Sequence, residues 1–262
     1  MLVTFQERAP FEPKNASLVY TYAVMATFMA ALTVATLKRW VSRRSRIAFW
    51  VAGMYACYAA ALVSLFVGML SSTLAGFFTE AYSVTLPMGY FFGCLANVFL
   101  LYFALEVFFE QPSKTIFASY VAFTAVASIL VFLPWNYWGK TGDEIADVQN
   151  VFQAVTSIVV VAQALTCYFL LLPRTFQALN RVKEPVYSAA LKLVAAFIVT
   201  LVGFYVCLVL DAVVQLITYS GYSAFVFIGW SLVAGGSVLG YVGFLLPDWF
   251  RKAVEVRTAG KT

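Results

Sequence analysis

The chain has 262 residues, of which 63% are hydrophobic and only 11% are charged, whereas about 25% of residues are charged in an average soluble domain. A mean hydropathy of +0.86 excludes an ordinary water-soluble enzyme, because a soluble fold of this size cannot remove so much apolar surface from water. The chain contains no histidine. This excludes His-ligated haem, His-based metal sites and Ser-His-Asp catalysis.

Seven continuous apolar stretches are long enough to cross a bilayer as α-helices, which need about 20 residues each. The strands of a membrane barrel would alternate in polarity instead. The predicted fold is therefore all-α, a bundle of seven transmembrane helices that forms a single domain. The predicted spans cover residues 17–37, 47–70, 85–109, 115–133, 150–172, 186–217 and 222–246, followed by a short basic tail at 247–262.

Basic residues are sorted to one side of the predicted membrane. Most of the 17 Lys and Arg residues fall in the connections after spans 1, 3 and 5 or in the tail. The positive-inside rule then predicts an outer N-terminus and a cytoplasmic C-terminus, in a multi-pass protein of the cytoplasmic or plasma membrane. Because these charges flank spans, we expect membrane lipids as partners and no nucleic acid.

The N-terminal segment lacks the apolar region of a signal peptide, so we expect span 1 to be an uncleaved anchor. The sequon that begins at Asn15 abuts the bilayer, and we do not expect it to be glycosylated. The 8 prolines fall in this segment or at the ends of predicted spans, where proline begins or ends a helix. Unbroken helices argue against a transporter that unwinds its helices around a substrate.

Three ionisable residues lie inside the predicted spans, where charge is costly and suggests function. Glu106 and Lys192 both lie near the inner face. Three interpretations are open. The two residues form an ion pair that acts as a cytoplasmic latch, they form a static pair, or each side chain reaches the interface separately. Asp211, with Gln215 one turn further out and Gln153 at similar depth, is a candidate for an outward-facing ligand pocket. The alternative for these three is a capping cluster at the interface.

Two amides lie near the predicted midplane, Asn97 in span 3 and Gln163 in span 5. They are candidate ligand contacts, but hydrogen bonds between helices are the favoured interpretation. The 4 cysteines lie in different spans and are expected to be buried apolar side chains.

Span 7 carries glycines at helical spacing on one face. The favoured interpretation is close helix packing within the bundle. The alternative is a contact between copies of the chain or a groove for a lipid tail. The stripe consists of Gly229, Gly236, Gly240 and Gly243.

The basic connection Lys38–Arg46 and the segment Gly243-Phe-Leu-Leu-Pro-Asp-Trp-Phe-Arg-Lys252, together with the number of helices, resemble archaeal-type prokaryotic seven-helix sensor modules. Such modules often precede cytoplasmic histidine kinases. We expect no output domain on this chain, so the resemblance implies a signal passed to a separate protein. Span 7 has no lysine for a Schiff base, so we do not expect a retinal protein.

Common enzyme motifs are missing, and we expect no catalysis, no cofactor and no metal. The favoured hypothesis is a receptor-like or sensor-like bundle, which predicts a closed pocket near Asp211 and a contact between Glu106 and Lys192. The alternative is a structural or accessory subunit of a larger membrane assembly or homo-oligomer. A small channel or transporter, the third hypothesis, predicts a continuous polar path through Asn97 and Gln163.

Overall fold

The computed structural model describes residues 16–77, 79–108, 113–133, 146–218 and 223–259. Seven of its helices are long and apolar enough to cross a membrane, so the predicted all-α bundle of seven helices is confirmed. A short eighth helix follows them. In chain order the helices are α1 (Ala16–Arg43), α2 (Arg46–Ala75), α3 (Glu80–Phe108), α4 (Lys114–Phe132), α5 (Ala146–Arg181), α6 (Pro185–Thr218), α7 (Ala224–Leu245) and α8 (Asp248–Ala259).

The seven long helices follow one another around the bundle. Each packs on the next in the chain, and α7 closes the arrangement by packing on α1 and α2. Helix α3 also packs on α5, which places it toward the inside. The connections α1–α2, α3–α4 and α5–α6 and helix α8 all lie at one end, which we call the basic end because the Lys and Arg residues concentrate there.

Several helices are longer than the predicted spans. Helix α5 has 36 residues where 23 were predicted, and α2 has 30 where 24 were predicted, which at 1.5 Å per residue gives lengths of about 54 and 45 Å. The hydrocarbon core is only about 30 Å thick. Hydropathy detects the part of a helix that lies in hydrocarbon, whereas backbone hydrogen bonding continues into the polar layer beyond it.

Two prolines lie inside helices, so the prediction that all of them lie at helix ends was wrong. Pro87 is in α3 and Pro173 is in α5. Both helices continue on either side of the proline. Membrane helices tolerate proline in this way because neighbouring groups and local adjustments satisfy the carbonyl that loses its partner.

The glycine stripe of α7 faces α6 of the same chain. A Cβ placed on Gly243 would lie 2.9 Å from Val194 Cγ2 and 3.0 Å from the carbonyl oxygen of Ala190. Because α6 fills the stripe, the structure does not support its use as a contact between copies or as a lipid groove. All four glycines are buried: Gly229, Gly236, Gly240 and Gly243.

The C-terminal end of α7 is held by a side chain from α1. Arg39 Nη2 donates a hydrogen bond of 3.1 Å to the carbonyl oxygen of Leu246, the residue that ends α7 with a φ of 46°. The last carbonyls of a helix have no partner within it and carry partial negative charge, which a guanidinium offsets. Helices α1 and α7 are thereby joined at the basic end.

Candidate functional site

A buried amide joins three helices near the middle of the bundle. Asn97 of α3 is only 1% exposed. Its Oδ1 accepts hydrogen bonds from the hydroxyls of Tyr168 on α5, at 2.9 Å, and Tyr58 on α2, at 3.3 Å. Its Nδ2 donates to Gln163 Oε1 on α5 at 3.2 Å. One side chain thus fixes α2, α3 and α5 relative to one another.

Gln163 extends this arrangement to α4. It is fully buried, and its Nε2 donates to Thr124 Oγ1 at 2.9 Å and to the carbonyl oxygen of Cys94 at 3.2 Å. The hydroxyl of Tyr120 donates to the backbone carbonyl of Gln163 at 3.0 Å. We call the connected side chains the amide network: Tyr58, Asn97, Tyr120, Thr124, Gln163 and Tyr168.

The side chains of the amide network form hydrogen bonds between neighbouring helices. Every amide oxygen and nitrogen of Asn97 and Gln163 has at least one protein partner. Hydrogen bonds of this kind contribute about 0.6 to 2 kcal/mol each in membrane bundles.

The four cysteines are buried and free, and Cys167 Sγ lies 3.5 Å from the carbonyl oxygen of Asn97.

Asp211 connects the end of α6 to the start of α7. It is 4% exposed, and its Oδ1 accepts hydrogen bonds of 2.6 Å from both the backbone N–H and the hydroxyl of Ser223. Ser223 in turn is the N-cap of α7. This geometry corresponds to the capping interpretation rather than to an open ligand pocket. The side chains of Gln153 and Gln215 lie outside the described residues.

The structure does not bring Glu106 and Lys192 together. Both side chains are exposed, and within the described ranges no ion pair joins them. The reason is the order of the helices, because α5 packs against both α3 and α6. The cytoplasmic latch is therefore not formed in this structure.

Glu106 instead lines an open pocket of about 410 Å³ at the basic end, between the end of α1, the start of α2 and the end of α3. Its volume falls within the range of small-molecule sites, roughly 300 to 1,000 Å³. We call it the aromatic pocket. It is lined by Trp40, Arg46, Phe49, Trp50, Tyr102 and Glu106.

The rings of the aromatic pocket form a continuous series. The ring centroids of Trp50 and Tyr102 are 4.1 Å apart, those of Phe49 and Trp50 are 5.2 Å apart, and those of Trp40 and Phe49 are 5.3 Å apart. The interplanar angles of 39°, 72° and 52° show that the rings are not stacked flat. The ring planes are therefore tilted relative to one another.

Two opposite charges share this pocket. The Arg46 guanidinium and the Glu106 carboxylate are both exposed, and no ion pair connects them in the part of the chain that the structure describes. The indole nitrogen of Trp50 is buried and has no hydrogen-bond partner among the described residues. The pocket thus combines an aromatic wall with an acidic and a basic group.

Of the residues that line this pocket, the sequence pointed to a functional role only for Glu106. Trp50 and Tyr102 were missed as partners, although both lie near the basic ends of their spans. Tyr58 and Tyr168 were likewise missed as partners of the amides. Depth indicates Tyr58, which lies at the centre of predicted span 2, but not Tyr168, which lies four residues from the end of predicted span 5.

Comparison with known protein families, curated proteins and solved structures finds no match for this chain. Among the described residues, no group of His, Cys, Asp and Glu is placed to hold a metal ion. The aromatic pocket and the amide network are therefore the features of this chain that bear on its function.

Proposed function

We propose that this protein is a receptor-like, non-enzymatic membrane protein that relays the occupancy of the aromatic pocket to a separate partner protein. The observation that carries this proposal is that the pocket and the amide network are built on the same two helices. Trp50 and Tyr58 both belong to α2, and Tyr102 and Asn97 both belong to α3.

The distances between the two features are short. Along the helix axis, Trp50 and Tyr58 are separated by about 12 Å and Tyr102 and Asn97 by about 8 Å, at 1.5 Å per residue. The rings of Trp50 and Tyr102 are in contact across the α2–α3 interface. A ligand that separates or rotates these rings therefore acts on helices whose relative position the amide network also fixes.

The amide network supplies the connection to the rest of the bundle. A shift of α3 against α5 strains the bond between Asn97 and Gln163, and Gln163 is bonded to Thr124 of α4. A ligand shifts such an equilibrium only through its different affinity for the two arrangements. In this proposal the ligand-bound state of the pocket favours a second arrangement of α4 and α5.

A second candidate function is an accessory subunit of a membrane assembly, in which a neighbouring protein covers the outer surface of α4. Val126, Ile129 and Phe132 are 52%, 62% and 49% exposed. A lipid-facing helix has the same composition, so this surface alone does not distinguish a neighbouring protein from lipid. A transporter is less well supported, because the polar atoms of Asn97 and Gln163 are bonded to one another and to neighbouring helices.

The relay is tested by hydrogen exchange on the full chain in lipid nanodiscs. Tyr102→Ala removes a ring of the pocket, and we expect faster exchange in α4 and in α5 around Gln163. The same substitution in an Asn97→Leu background should no longer change the exchange rate of α4 beyond that of Asn97→Leu alone. Tyr20→Ala, which removes an aromatic side chain 75% exposed on α1, is the matched control and should change neither segment.

Exchange in α4 and α5 that does not respond to Tyr102→Ala, or responds equally without Asn97, contradicts the relay.

Purification under native conditions tests whether the protein has a partner. A co-migrating membrane protein that is lost with the pocket variants supports the receptor-like function. One that stays bound to all variants supports the accessory subunit, and a strictly monomeric, partner-free particle contradicts both.

A further inference from the structure

We propose that the aromatic pocket binds a zwitterion, with an organic ammonium group against the aromatic rings and Glu106 and a phosphate or carboxylate group on Arg46. This inference rests on the proposed function, since it names the class of ligand that the pocket takes.

The rings point to a cation. Trp40, Phe49, Trp50 and Tyr102 converge on one open pocket from three different helices. The face of an aromatic ring carries partial negative charge, and tryptophan binds cations most strongly. Quaternary ammonium groups are recognised by such groups of rings because their charge is spread over methyl groups that also need an apolar surface.

The charges point to a ligand that carries both signs. Glu106 adds a formal negative charge beside the rings, but Arg46 lines the same pocket. A simple cation would be repelled by Arg46, and a simple anion would be repelled by Glu106. A zwitterion places each of its charges on the group of opposite sign, and a guanidinium binds phosphate or carboxylate through two parallel hydrogen bonds.

The position of the pocket allows two sources of this chemistry. It lies where α1 ends and α2 begins, at the level where the headgroups of membrane lipids meet the ends of membrane helices. A zwitterionic lipid headgroup and a dissolved zwitterion present the same two groups to the pocket. The experiment therefore has one arm for each source.

The first arm titrates the full chain by calorimetry in nanodiscs made only of phosphatidylglycerol, which carries no ammonium group. The probes are phosphocholine, tetramethylammonium and inorganic phosphate. We expect phosphocholine to bind and the two single-charge probes to bind at least roughly tenfold more weakly. The variants Trp40→Leu, Glu106→Gln and Arg46→Gln should each weaken phosphocholine binding roughly tenfold.

The second arm uses vesicles of mixed phosphatidylcholine and phosphatidylglycerol, with native mass spectrometry of the lipid retained by the protein. Retention of phosphatidylcholine that is lost in Glu106→Gln and Arg46→Gln supports a lipid ligand. Matched controls come from α8, where Trp249 and Glu255 are exposed and lie outside the pocket. Trp249→Leu and Glu255→Gln should behave like the unmodified chain in both arms.

Both charge substitutions are at exposed positions, so the variants are expected to fold, and a melting curve checks each of them. Binding in neither arm, or binding that the three pocket variants leave unchanged, overturns the inference. Binding without any change in the exchange of α4 and α5 supports the zwitterion site and contradicts the relay. Exchange in α4 and α5 that responds to Tyr102→Ala, without zwitterion binding in either arm, supports the relay and contradicts the zwitterion site.

Discussion

Asn97 of α3 forms hydrogen bonds to side chains on two other helices, α2 and α5. Asn97→Leu leaves the hydroxyls of Tyr58 and Tyr168 and the Oε1 of Gln163 without their partner. Buried polar groups left unpaired cost about 1–3 kcal/mol. We therefore expect the variant to lower the free energy of unfolding by about that amount, measured by circular dichroism during titration of mixed micelles with a denaturing detergent.

Thr166→Val is the control for this prediction. Thr166 is an exposed residue of α5, and within the described part of the chain its hydroxyl bonds only to the carbonyl oxygen of Ala162 in the same helix. The change should stay within about 0.5 kcal/mol. If Asn97→Leu costs no more than Thr166→Val, the amide network does not stabilise the bundle.

Asp211 offers a second prediction at the scale of single residues. Asp211→Ala removes the acceptor of two hydrogen bonds from Ser223, and loss of a cap of this kind costs about 1 kcal/mol. Asp211→Asn keeps an oxygen in the same place and should cost less. The expected order of melting temperatures is the unmodified chain, then Asp211→Asn, then Asp211→Ala. Equal melting temperatures for the two variants would contradict the capping role.

For single residues, the sequence predicted the depth in the membrane, from the position of each residue along its span, but not the side chains that it contacts. Asn97 and Gln163 were predicted to lie at similar depth and to form hydrogen bonds between helices, and they contact each other. Their tyrosine partners depend on how each helix is rotated about its axis, which the apolar composition of these helices leaves open. Glu106 and Lys192 were predicted to share a depth, but the order of the helices keeps them apart.

At the scale of helices, the packing of α7 on α6 gives a sharp prediction. In Gly243→Ala the added methyl group meets Val194 Cγ2 at 2.9 Å and also backbone atoms, the carbonyl oxygen of Ala190 at 3.0 Å and the amide nitrogen of Val194 at 3.1 Å. The two helices must separate, and overpacking of this kind costs about 1–3 kcal/mol. The melting temperature of the full chain in detergent should fall accordingly.

Gly235→Ala is the matched control on the same helix. A Cβ at Gly235 has no atom within 4 Å, so the substitution should be neutral or stabilising by up to about 1 kcal/mol through helix propensity. A larger loss of stability at Gly235 than at Gly243 would show that the glycine stripe is not the packing surface.

Helix boundaries were predicted less well than helix existence. The seven spans were found because apolar stretches of sufficient length have no other stable arrangement in a bilayer. The helix ends predicted at Pro87 and Pro173 were wrong, because α3 and α5 continue through both residues. Proline removes one backbone donor, and a packed membrane helix tolerates that loss.

At the scale of the whole molecule, the orientation in the membrane stays a prediction that labelling can test. Leu74→Cys, at a position 79% exposed near the end of α2, should react with a membrane-impermeant maleimide added outside intact cells. Ser42→Cys, at the basic end, should react only after the membrane is opened. The four native cysteines are buried and should stay unlabelled until the protein is denatured. Labelling of Ser42→Cys from outside would reverse the predicted orientation.

The bundle followed from composition, but the aromatic pocket did not. Its residues come from α1, α2 and α3 and are far apart in the sequence. Each has an ordinary explanation when taken alone, such as an interfacial tryptophan or a snorkelling carboxylate. Only their convergence at the end of the bundle distinguishes them, and convergence depends on tertiary packing.

The length of α5 has a practical consequence for imaging. At the basic end, the α5–α6 hairpin continues past the predicted hydrocarbon layer. Arg174 is bonded to Gln177 at 3.1 Å on the turns of α5 that extend beyond this layer. Helix α5 ends at Arg181 and α6 begins at Pro185, so the connection between them is short. A rigid helical scaffold fused into this hairpin would be held in a fixed orientation relative to the bundle and would serve as a fiducial mark. At 29.0 kDa the protein offers little mass for particle alignment in electron microscopy, and this hairpin is where that mass is best added.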